Sequence, residues 1–146
     1  MQPLSFPPAA PALRQRIGWL CQLVRWGAVA YAAWVLFGIV AYWTDSARVA
    51  RHWSAWLHAE VPAPLPWQQA TGFAIHFALW LALAAAVWSV WRLFSAYLDG
   101  RVFTAEAALW LRRVGLFGLA AQFGDMLARP LVSMVVTATH PDGARL

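Results

Sequence analysis

The sequence predicts an all-α fold: an integral membrane helical bundle with three transmembrane helices and one short interfacial amphipathic helix. Three observations lead there. Of 146 residues, 62% are hydrophobic, and the mean hydropathy is +0.54; a soluble domain is about 45–50% apolar. Charged residues make up only 12%, about half the usual share. The charges also bracket uncharged stretches of the length, about 20 residues, that crosses a bilayer core of about 30 Å. This composition excludes an intrinsically disordered chain, which needs low hydrophobicity and high charge. A lone cysteine, Cys21, excludes a disulfide scaffold. The length allows a single domain.

Residues 1–12 carry Pro3, Pro7, Pro8 and Pro11 and no charge, so they read as a disordered or extended tail. Residues 13–146 form the single helical membrane domain. No basic segment precedes a short apolar core, which argues against a cleaved signal peptide and for a retained signal anchor. Leu13, Ile17, Leu20, Cys21 and Val24 fall on one helical face. This short amphipathic stretch lies at the membrane surface and runs into the first span, residues 24–43, with Trp26 at one end and Tyr42 and Trp43 at the other.

A helix lying in the interface is predicted over residues 46–60. Asp45 and Ser46 are N-cap candidates. Val49, Trp53, Trp56 and Leu57 share a face, against Arg48, Arg51, His52 and His58. Pro62, Pro64 and Pro66 end it in an extended segment. The second span is residues 72–92, where His76 is the only titratable side chain before Arg92. Ala78, Ala82, Ala85, Ser89 and Ala96 follow alternating four- and three-residue spacing, completed by Arg92. A seam of small residues of this kind lets another helix approach closely in lipid. Asp99-Gly100 then marks a turn. Thr104 caps the next helix, and Glu106 suits the positive end of its dipole.

The third span, residues 110–136, is interrupted by Asp125 and Arg129, and Pro130 is expected to kink or end it. At 1.5 Å per residue, Asp125 falls near the middle of the core or toward its far side, depending on where the helix enters. A carboxylate at membrane depth is a functional candidate. It shares a face with Gly115, Gly118, Gln122 and Arg129, so Gln122, Asp125 and Arg129 form a candidate polar intramembrane site. The plainer reading is an i,i+4 pair, Asp125 with Arg129, buried against the other helices or placed at the outer surface. A proton or ion relay and a contact with a partner helix are the alternatives.

The net charge is +5 and every basic residue is arginine. The arginines flank apolar segments and make no continuous stripe, so nucleic acid is not the expected partner. Arg14, Arg16, Arg25, Arg92, Arg101, Arg112 and Arg113 lie on one side of the predicted topology, against Arg48, Arg51, Arg129 and Arg145 on the other. That bias puts the N-terminus and the turn at 98–109 in the cytoplasm of a cell with an inner membrane. His52, His58, His76 and His140 all fall on or near the outer side. His52 and His58 are six residues apart, about 120° around a helix, and neither an HExxH nor a CxxC motif is present. Ordinary interfacial histidines are therefore expected, with a metal or haem site as the alternative; no cofactor is implied. Cys21 reads as a small buried residue, with juxtamembrane acylation as the other possibility. Most of the 11 Trp suit interfacial belts; Trp34 and Trp80 are mid-span.

The residues Leu93-Phe94, Gly100-Arg101-Val102-Phe103-Thr104 and Leu111-Arg112-Arg113-Val114-Gly115 resemble the DUF2975 family of uncharacterised bacterial membrane proteins. That pattern has a span, a cytoplasmic turn with Gly-x-x-Phe-Thr, and a helix bearing Leu-Arg-x-x-Gly. The resemblance makes Gly100, Phe103, Thr104, Arg112 and Arg113 a candidate cytoplasmic motif. It implies four spans, whereas this chain stops at Leu146 after three, as a truncated chain or a short variant would. It supplies no catalytic residue. The family's pairing with small helix-turn-helix regulators implies a link to transcription. The function expected is thus non-enzymatic: helix packing in the bilayer with itself or a partner membrane protein. The alternative is a redox or transport subunit using the outer histidines and Asp125.

Overall fold

A computed structural model describes residues 11–58, 60–99 and 104–138. They form four helices and no strand: α1 (Pro11–Trp43), α2 (Ser46–Leu57), α3 (Pro66–Leu98) and α4 (Ala105–Thr137). Within them, Gly18–Trp43, Pro66–Leu98 and Ala105–Thr137 are long and apolar enough to cross a bilayer. The amphipathic stretch after Pro11 and the first span are one continuous helix. That helix begins two residues inside the segment expected to be extended, since proline is tolerated in a helix's first turn.

The caps follow from the sequence. The Asp45 carboxylate accepts from the Arg48 backbone N–H at 3.0 Å, and the Thr104 hydroxyl accepts from the Ala107 N–H at 3.1 Å. Helix α2 stops at Leu57, short of the expected residue 60. There His58 adopts a left-handed conformation (φ 51°), and the chain turns back so that the Val61 N–H reaches the Ser54 hydroxyl at 2.9 Å. Pro130 does not end α4, and the helix continues to Thr137.

Helix α3 is the central element: it packs against both α1 and α4, more extensively against α4. Each helix offers α3 a row of buried or half-buried residues alternating three and four apart. On α1 the row runs Gly18, Cys21, Arg25, Ala28, Ala32, Val35 and Ile39; on α3, Gln68, Gly72, Ile75, Leu79, Ala82, Ala86, Ser89, Leu93 and Ala96. On α4 it runs Ala107, Trp110, Val114, Phe117, Ala121, Gly124 and Ala128. A 3.5-residue repeat is the signature of left-handed helix packing. The seam on α3 is therefore set differently from the expected one. Ala82, Ser89 and Ala96 belong to it, but Ala78 and Arg92 are exposed, and Ala86 and Leu93 take the neighbouring places. Past Pro130 the α4 row slips by one residue to Val132 and Val136.

Two aromatic levels mark the ends of the bundle. At one, the Arg25 guanidinium lies 3.8 Å from the centre of the Trp91 ring, which also meets Trp26 edge-on at 5.3 Å. Arg92 and Arg113 approach Trp110 at 5.4 and 4.6 Å at the same end. At the other, Trp43, Val49, Trp53, Val61, Val132 and Val136 form a buried cluster where α2 caps the bundle. The Trp43 ring lies against Gly72. From Trp26 to Trp43 on α1 is about 26 Å, and from Gly72 to Trp91 on α3 about 29 Å, at 1.5 Å per residue. Both match the hydrocarbon thickness of a bilayer.

Candidate functional site

The polar row of α4 does not face α3. Gly115, Gly118, Gln122 and Arg129 are exposed, because that row lies beside the Ala121–Gly124–Ala128 seam and not on it. Nothing stands within 4 Å of where a Cβ would sit on Gly115 or Gly118. The Arg129 guanidinium bonds the Asp125 carboxylate at 3.2 Å, one turn apart, with the two side chains 74% and 46% exposed. The i,i+4 pair expected from the sequence forms, but it is not buried against other helices. Asp125 sits seven residues before Val132 of the α2-end cluster, about 10 Å along the helix axis. This places it in the half of the span nearer α2.

Across from this row stands α1, and the two helices flank a groove floored by α3. Its upper chamber, about 530 Å³, is lined by Val35, Gly38, Ile39, Tyr42 and Trp43 of α1, His52, Trp53 and Trp56 of α2, His76 of α3, and Asp125, Arg129 and Val132 of α4. The lower chamber, about 420 Å³, adds Tyr31, Leu79, Trp80, Leu83, Gly118, Ala121 and Gln122. Both chambers share Val35, Ile39, His76 and Asp125, so they are two levels of one groove.

Two polar side chains of α3 lie along the groove's floor. The Trp80 indole N–H donates to the Ala32 carbonyl of α1 at 2.9 Å. His76 Nδ1 is 3.0 Å from the Gly72 carbonyl; a carbonyl only accepts, so the proton is on Nδ1 and Nε2 is left for another partner. The His76 ring centre is 5.6 Å from that of Trp43. At the α2 end, Gln68 is 1% exposed. Its Oε1 accepts from the Leu65 N–H at 2.7 Å, and its Nε2 donates to the Val135 carbonyl at 2.8 Å. Gln68 thus caps α3 and ties it to the C-terminal turns of α4.

The residues singled out from sequence are divided by this arrangement. Gln122, Asp125 and Arg129 line the groove, joined by His52 and His76. His58 is exposed on its turn. His140, Gly100 and Phe103 lie outside the described residues, while Thr104 caps α4 and Arg112 and Arg113 are exposed near its start. Cys21 is buried in the α1 row. Among the described residues no three His, Cys, Asp or Glu side chains converge as a metal site would require. Sequence reasoning missed Tyr42 as a groove residue, the lining of one groove by both His76 and Asp125, and Gln68. A strict 3.5-residue count back from Gly72 would have found Gln68 on the buried row. Compared with known proteins, the chain matches no family model, no curated protein and no solved structure.

Proposed function

We propose that the chain is a small non-enzymatic protein of a bacterial inner membrane, a member of the DUF2975 family, that acts by helix packing with itself or a partner membrane protein. Its N-terminus and the turn between α3 and α4 face the cytoplasm, where the turn contacts a transcriptional regulator. The observation that supports packing is the uncovered row Gly115, Gly118, Gln122, Asp125 and Arg129 on α4. An exposed ion pair at membrane depth is costly in hydrocarbon, and small residues beside it admit a close helix. Cysteine crosslinking in native membranes through Gly118→Cys and Gln122→Cys tests it. Intermolecular adducts are expected from both, and recovery of monomer alone overturns the proposal.

A second reading, a membrane redox or transport subunit, draws support from one observation: His76 and Asp125 line both chambers of the same groove. In liposomes it predicts a proton or ion flux that Asp125→Asn abolishes. Flux that is absent, or unchanged in the variant, removes it.

A further inference from the structure

We infer that a second groove, between α1 and α3, holds one acyl chain of an anionic phospholipid whose phosphate rests on Arg25. This groove, about 500 Å³, is walled by Trp26, Val29 and Leu36 of α1 and by Trp80, Val87 and Trp88 of α3. It shares Trp80 alone with the α1–α4 groove. Its lining is alanine, valine, leucine and tryptophan throughout, so indole N–H groups are its only polar side-chain atoms. That of Trp80 is already given to the Ala32 carbonyl at 2.9 Å. Nothing along the groove solvates a polar occupant. Length narrows the choice further. From Trp26 to Leu36 the groove runs about 15 Å along α1, at 1.5 Å per residue. That is half of a hydrocarbon core of about 30 Å, the depth that the acyl chains of one leaflet fill.

The charge stands at the groove's outer end. There Trp26 and Trp91 meet at the aromatic level, and the Arg25 guanidinium lies 3.8 Å from the centre of the Trp91 ring. Its Nε is buried without a hydrogen-bond partner, and among the described residues no carboxylate pairs with it. The protein itself therefore leaves this cation unneutralised. A guanidinium held on an aromatic face matches a phosphate, the group that a phospholipid carries just outside the hydrocarbon. A headgroup of net negative charge fits better than a zwitterionic one, which brings its own cation. Shape separates the acyl chain from a helix. Close helix packing in lipid calls for small residues at the contact, whereas Trp26 and Trp88 at the rims are 61% and 60% exposed. The helix-packing row proposed above is on α4, apart from this groove, so the two surfaces can be occupied together.

Two substitutions test the two halves of the site. Arg25→Gln removes the cation, and Ala33→Leu fills the groove from an exposed position in its lining. Each has a matched control: Arg112→Gln removes an exposed charge near the start of α4, and Ala30→Leu adds the same bulk to an exposed position of α1 outside the groove. The full chain, delipidated in dodecyl maltoside micelles, is titrated with phosphatidylglycerol and observed by native mass spectrometry. One lipid per chain is expected to be retained, and phosphatidylcholine far less firmly. Loss of the charge-assisted bond should weaken retention at least about tenfold in Arg25→Gln, Ala33→Leu should also lower it, and both controls should leave it unchanged. Inorganic phosphate should not displace the lipid. Equal losses in the variants and their controls, or equal retention of the two lipids, overturn the inference. So does displacement by inorganic phosphate with Ala33→Leu unaffected, which would mark a site for a free anion. A lipid-free dimer that Ala33→Leu disperses would give the groove to a second copy and overturn it as well. Because Ala33 is exposed, its variant keeps the test decisive even if Arg25→Gln fails to fold.

Discussion

At the residue scale, two glycines show why space and not residue type decides a substitution. A Cβ on Gly72 would overlap the Trp43 ring, and Trp43 is 4% exposed within the buried cluster at the α2 end. A Cβ on Gly124 would meet only the Cδ2 end of Leu79, which can rotate away. Against each clash stands the gain of about 1 kcal/mol when Ala replaces Gly in a helix. Gly72→Ala should lose about 1–3 kcal/mol to overpacking, while Gly124→Ala should be neutral or slightly stabilising. Thermal unfolding in detergent micelles reads the difference as a lowered Tm in the first variant only. Gln68 makes the complementary point. Gln68→Leu strands the Leu65 N–H and leaves the Val135 carbonyl only the 3.4 Å bond from the Ala138 N–H, and a buried unpaired polar group costs about 1–3 kcal/mol. The same melting experiment should place its Tm below that of the native chain.

At the element scale, what was legible in the sequence was what depends on local chemistry. Asp45 and Thr104 cap their helices because a short side-chain oxygen at that position satisfies an otherwise unpaired N–H. Asp45→Ala should therefore cost about 0.5–2 kcal/mol, seen as faster hydrogen exchange in the first turn of α2 with α3 and α4 unchanged. The α1–α4 groove was not legible, because it depends on which face each helix turns toward α3. Lipid is as apolar as leucine, so hydrophobic periodicity does not mark the buried face of a membrane helix as it does in water. Ala78 and Ala82 look alike in sequence, yet the first is exposed and the second is half-buried on the packing row. Asp125 and Arg129 were found because charge is rare in a span. His76 was noticed as the lone titratable residue of its span, but its place in the same groove as Asp125 comes from the third dimension. Pro130, expected to kink or end α4, does not end it, and beyond it the packing row moves over by one residue.

At the scale of the whole molecule, the two aromatic levels set the register of three helices against the bilayer, and α2 closes one end of the bundle. The packing between spans is uneven. Helices α3 and α4 share the larger interface, they are joined by a short connection, and Gln68 locks their ends. Helix α1 is fastened by its row on α3, by the Trp80 bond to Ala32, and by the cluster around Trp43. This unevenness has a consequence for biogenesis. The α3–α4 pair is built to enter the membrane as a hairpin, with α1 and α2 docking onto it as a second, separable unit. A chain cut between Pro62 and Pro64 and produced as two pieces should reassemble in the membrane. Of the two pieces, the C-terminal one should resist protease alone, whereas the N-terminal one should survive only in its company.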